Sequence, residues 1–130
     1  MFIDKKVMDE LMQKAQESPR LRMNLDLRTT PEDQSQRMLN AMLPGTVLPI
    51  HRHMVSTEVV VMLRGRMDEV FFDDDGRETE RFHLDANTDN RGLSIPLGQW
   101  HTVEVFEPTV ILEAKDGPYV PLSPDDVLTV

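Results

Sequence analysis

Gly45 to Gly65 reads GTVLPIHRHMVSTEVVVMLRG, and how this stretch is read decides the fold. The residues around its two histidines have the composition of β-strands. His51 and His53 stand one residue apart, and Glu58 follows. In an extended chain residues two apart share a face, so both imidazoles point one way and Arg52 the other. Two imidazoles on one pleat can reach a single ion. Glu58 shares its parity with Val60 and Met62 on the following strand, and a hairpin pairing would bring its carboxylate beside the histidines. Two nitrogens and one oxygen form the ligand set of many Fe, Mn, Ni and Zn sites.

Toward the C-terminus, IPLGQWHTVEV places His101 after a Pro96/Gly98 turn, at the start of another strand. If the sheet closes as a barrel, His101 completes a set of three histidines and one glutamate, which leaves one or two positions open on an octahedral metal. By parity Trp100 points away from His101 and into packing. His83 in ETERFHL has no partner at ligand spacing and shares a solvent face with Arg81.

Toward the N-terminus, DKKVMDELMQKAQE (Asp4 to Glu17) carries Val7, Met8, Leu11, Met12 and Ala15 on one helical face. Asp4 caps the start and Ser18-Pro19 ends it. From Arg20 the period becomes two. Leu21, Met23, Leu25 and Leu27 alternate with Arg20, Arg22, Asn24, Asp26 and Arg28, a strand with one apolar face. QRMLNAMLPG gives another strand. After the histidine stretch follow MDEVFF, a DDDG turn at Asp73 to Gly76, ETERFHL, a polar loop, GLSIP, HTVEVF and TVILEAK. About eight short strands punctuated by Gly, Pro and Asp predict an all-β sandwich or barrel behind one N-terminal helix. The tail PLSPDDVLTV reads as an irregular strap or as partly disordered.

The chain has 130 residues, the size of one domain. The expected division is a helix in 1–19, a barrel in 20–120 and a tail in 121–130. There is no cysteine, which excludes disulfides, thiolate metal sites and thiol nucleophiles, so any metal rests on His, Asp or Glu. No signal-peptide pattern and no long apolar run is present, and the reading is a soluble cytoplasmic protein without a membrane partner. Net charge −9 disfavours a nucleic-acid footprint.

The spacing Gly45, five residues, His51-x-His53, four residues, Glu58, six residues, Gly65 is similar at each fixed position to the first motif of the cupin superfamily. The second cupin motif is matched in part by Pro96, Gly98 and His101. Asn90 stands where its leading glycine is expected, with Gly92 two residues later, and Val105 stands at its terminal asparagine. More narrowly, SPRLRMNLDLR, QRMLNAMLPGT, FFDDDGR, IPLGQWHT and EAKDGPY resemble the WbuC-type cupin metalloproteins encoded among bacterial O-antigen genes. The resemblance implies a cupin double-stranded β-helix, or jelly-roll barrel, with a divalent ion (Zn, Fe, Mn or Ni) on His51, His53, Glu58 and His101. It defines no activity and no catalytic residue.

Two functional readings stand. One is a metal-centred enzyme, an isomerase or a dioxygenase, acting on a small carbohydrate-like or carboxylated molecule in polysaccharide biosynthesis. The other is a non-catalytic binding module with a structural or orienting metal, favoured by the scarcity of general acids and bases beyond the ligands. The arginine-bearing face of Arg20, Arg22 and Arg28 is either solvated or lines the mouth for an anionic or sugar-like ligand. Arg37, Asn40, Glu113, Lys115 and Tyr119 are the other candidates for substrate contact. A homodimer through spare strand edges and the helix is a further expectation.

Overall fold

The period change at Arg20 is the seam between two kinds of structure. In the computed structural model, which describes residues 1–128, α1 spans Lys5–Glu17 and strands follow: β1 (Arg22–Asp26), β2 (Ser35–Met42), β3 (Ile50–His51), β4 (Glu58–Arg64), β5 (Arg66–Phe72), β6 (Glu78–Asp85), β7 (Gly92–Ile95), β8 (Trp100–Val105), β9 (Thr109–Asp116) and, after a 3₁₀ turn at Pro124–Asp126, β10 (Val127–Leu128). The count among the described residues exceeds the sequence expectation because β10 forms within the tail, and β3, expected as a longer strand, is only two residues long. Part of the expected tail, 129–130, lies outside the described residues. The rest is an ordered strap. No helix among the described residues is long and apolar enough to cross a membrane.

The strands form two antiparallel sheets, β1-β2-β9-β4-β7 and β10-β3-β8-β5-β6, the cupin jelly roll. DDDG closes the β5–β6 hairpin as its composition predicts: Asp73 N–H donates to Arg77 O and Gly76 N–H to Asp73 O. Gly65, between β4 and β5, has φ +88°, and a Cβ there would run into the Pro108 carbonyl oxygen. Only glycine meets both demands.

Alternation then sorts every strand into two faces. On β2 the odd residues Leu39 and Ala41 turn outward against α1, where they bury Leu11, Met12 and Ala15 together with Val110 of β9. Met23 and Leu25 of β1 pack on the same patch. Asp4 Oδ1 accepts from Val7 N–H at 3.0 Å and caps the helix over it. The even residues of β2 face the other way, into the space between the sheets. One end of that space is an apolar core of Met42, Val60, Met62, Met67, Val105 and Ile111, all less than a tenth exposed. Burying each such side chain contributes about 1.5–3 kcal/mol.

Candidate metal centre

Three of the four expected ligands come from the β3–β4 stretch and the fourth from β8. His51 ends β3, His53 lies in the segment after it, Glu58 opens β4 and His101 is the second residue of β8. His51 pairs with His101 across the β3–β8 ladder. The hairpin expected between the strands of His51 and Glu58 does not form: β4 pairs with β7 and β9 in the opposite sheet. The carboxylate therefore reaches the histidines across the barrel, because the short link from Met54 to Thr57 carries the chain from one sheet to the other. Gly98 N–H donates to His53 O at 2.8 Å and ties the Pro96/Gly98 turn to this link.

The three histidines present ring nitrogens within 4.8 Å of one another. His51 Nδ1 lies 2.9 Å from Pro49 O and His101 Nδ1 2.9 Å from Gln99 O. A carbonyl accepts only, so each Nδ1 carries the proton and each Nε2 keeps its lone pair for the interior. Glu58 Oε2 stands 3.4 Å from His53 Nε2 and 3.3 Å from His101 Nε2. His53 Nε2 and Glu58 Oε2 are buried without a hydrogen-bond partner. Burial pushes the His51 imidazole down to about 4, helped by the neighbouring His101. Burial acts to raise Glu58, yet His101 and His53 beside it outweigh that and hold the carboxyl below its ordinary range. Two imidazoles whose Nδ1 atoms are engaged by carbonyls, a carboxylate and two orphaned buried atoms suit a cation between them.

The cluster lines a cavity of about 440 Å³. Of the expected contact residues, Arg20, Arg22, Asn40, Glu113, Lys115 and Tyr119 line it, whereas Arg28 and Arg37 do not. Parity excludes Arg37, an odd residue of β2, which is held by Asp33 Oδ2 at 2.9 Å and by Ser35 O. Arg28 lies beyond β1 and is clamped to Asp26 and Pro31 O. Arg22 reaches Val47 O at 3.3 Å, and burial, then the charge of Arg20, lowers its guanidinium from the ordinary value. Asn40 Nδ2 donates to Glu113 Oε1 at 3.4 Å. Burial, reinforced by the charge of Glu58, raises Glu113 to about 7.

Trp100 is buried and donates from Nε1 to Asp74 Oδ1 at 2.9 Å. Arg52 stacks 4.3 Å above its ring and bonds Asp126 Oδ1 of the strap. His83 is exposed and sits 2.7 Å from Asp68 Oδ1, away from the cluster. Glu69, in the middle of β5, lines the cavity and is 1% exposed. Sequence reading missed it. The available signal was parity, since Met67, Glu69 and Phe71 share one face and both neighbours are core residues.

Residues 3–84 match the family described as Domain of unknown function (DUF6016). No curated protein matches the chain by sequence. Solved structures similar to it include the capsular polysaccharide assembling protein CapF from Staphylococcus aureus, at TM-score 0.68 and 20% identity over 83% of this chain and 31% of that one. Oxalate decarboxylase from Lactobacillus farciminis, in a formate complex, gives TM-score 0.59 and 20% identity over 75% of this chain and 29% of the other. KdgF from Halomonas sp. gives TM-score 0.59 and 14% identity over 78% and 84%. The chain thus spans less than a third of the CapF chains, and these likenesses concern the fold.

Proposed function

The chain belongs to the DUF6016 family, and from its site we propose a single-domain cupin metalloprotein that binds a divalent ion on His51, His53, Glu58 and His101 beside a pocket for a small oxygen-rich molecule. The observation that carries this reading is the pair of buried, unpartnered atoms, His53 Nε2 and Glu58 Oε2, flanked by two imidazoles whose protons are fixed on the outer nitrogen. A buried polar atom without a partner costs about 1–3 kcal/mol, and a shared cation would remove that cost at both atoms. The chemistry such an ion supplies when bound is Lewis-acid polarisation of a ligand oxygen.

The chain's own groups would do the rest. Arg20, Arg22 and Lys115 offer cationic donors along one wall for a carboxylate or phosphate, and Asn40 offers an amide. Glu113, raised to about 7, can hold or release a proton near neutral pH. Its presence favours an enzyme, an isomerase or an oxygenase, over a purely structural metal. A role in polysaccharide biosynthesis rests on the sequence resemblance and on the CapF likeness, kinship with the WbuC-type cupins on the sequence resemblance alone, and a cytoplasmic setting on composition.

Elemental analysis of protein purified without chelators or nickel resin tests the metal, with about one divalent ion per chain expected. His101→Ala should lose it, and acidification should release it below neutrality, since imidazole must be neutral to coordinate. Protein that remains metal-free after exposure to Zn, Fe, Mn and Ni salts would sink the reading.

A further inference from the structure

We propose that Glu69 is a ligand-contacting residue of this cavity, whose carboxyl donates a hydrogen bond to an oxygen of a small hydroxy- or oxo-carboxylate. The inference rests on the metal-site reading above and adds a group to it. β5 pairs with β8 so that Phe71 faces His101, Glu69 faces Val103 and Met67 faces Val105. Across the barrel, Glu58 of β4 pairs with Lys115 of β9, Val60 with Glu113, and Met62 with Ile111. On both sheets the same step of two residues leads from the level of the ligands to a middle level and then to the apolar core. Glu69 occupies the middle level of its sheet, as Glu113 does in the other, roughly 7 Å along the strand from the level of His101.

At 1% exposure Glu69 is among the most buried side chains of the molecule. Its ladder neighbours are Phe82 of β6 and Val103 of β8, both apolar. No cation and no hydrogen-bond donor reaches its carboxyl among the described residues. An ionised carboxylate buried in that setting would cost several kcal/mol, so the group is held neutral, and burial, the largest cause, pushes it well above the usual carboxylate range. A neutral carboxyl carries one O–H donor, and no acceptor among the described residues meets it. It opens instead onto the cavity, where a ligand oxygen beside the histidines would satisfy it. A ligand that engages both Glu69 and the Arg20 and Arg22 wall needs an anionic end and a second oxygen function, which defines the class.

The test uses the full chain, with and without Zn²⁺, and glycolate as the probe. Infrared difference spectra at neutral pH between wild type and Glu69→Gln should show a protonated carboxyl band in wild type that shifts when glycolate is added. In calorimetry, Glu69→Gln, which keeps an N–H donor, should hold glycolate within a few-fold of wild type. Glu69→Met should weaken it roughly tenfold to a hundredfold. Absence of the carboxyl band, no glycolate binding to wild type, or equal affinity in all three proteins overturns the proposal. Wild type that takes up no Zn²⁺, yet shows the band and loses glycolate on Glu69→Met, would sink the metal reading and uphold this one.

Discussion

The two ends of the barrel interior are built from the same strands and differ in almost every physical respect. Toward Gly65, the residues facing inward are Met42, Met62, Met67, Val105 and Ile111, packed against one another. Two to four residues further along the same strands they are Glu58, Glu69, His101, Glu113 and Lys115 around a cavity. The apolar end contributes the stability. The polar end spends part of it on buried groups that lack partners. Local rules of sequence–structure agreement are broken only at one end, which is where chemistry belongs.

The sharpest way to break the contrast is at the apolar end itself. Gly65→Ala forces a side chain onto a φ of +88° and into Pro108. It should cost more than about 4 kcal/mol, the scale of a steric conflict with backbone, and leave little folded protein by circular dichroism. Next comes Ile111→Ala, which opens a cavity in the core and should cost about 2–5 kcal/mol in urea unfolding. The folded fraction should still bind metal at wild-type stoichiometry if the two ends are separable.

Acidification sharpens the comparison from the polar end. In metal-stripped protein, His51 titrates at about 4 when folded, against 6.5 ordinarily. The unfolded chain then binds more protons between those values, so this residue's stability contribution is full above about pH 6.5 and is lost as pH falls toward 4. Glu113 runs the other way. Raised to about 7 from 4.5, its burial costs stability above neutrality, and that cost is relieved as pH falls from 7 toward 4.5. His51→Gln should therefore make stability rise on mild acidification, and Glu113→Gln should make it fall, in thermal melts of the metal-free variants. The smallest effect expected is at the rim. Arg22→Ala should weaken citrate binding by about 1.5–3 kcal/mol in calorimetry, and raising the salt should narrow the difference from wild type.

The histidine spacing, the parity of His51 and His53 and the Pro96/Gly98 turn were enough to anticipate the cluster that the fold assembles. The DDDG hairpin and the amphipathic helix were equally legible, because each depends on neighbours in sequence. Long-range facts were not. Nothing in STEVVVMLRG says that Glu58 approaches from the opposite sheet, since a strand's partner is chosen by the whole topology. Arg28 and Arg37 looked as eligible as Arg20 and Arg22 because a count of arginines carries no parity until the strand ends are known. Glu69 was overlooked for the opposite reason. It interrupts an apolar parity by a single residue, and a strand read as MDEVFF conceals which face its acid takes.

The pairing of β10 with β3 has a consequence in time. β9 lies between β2 and β4, so the first sheet has a gap at its centre until Asp116 has been synthesised. His51 gains its outer neighbour only with Val127, and Arg52 its N–H acceptor only with Asp126. At ribosomal rates of about 5–20 residues per second, the first histidines wait several seconds for His101 and longer for the strap. On the proposed metal-binding reading, capture in the final geometry would follow synthesis of the strap rather than accompany emergence of the first motif.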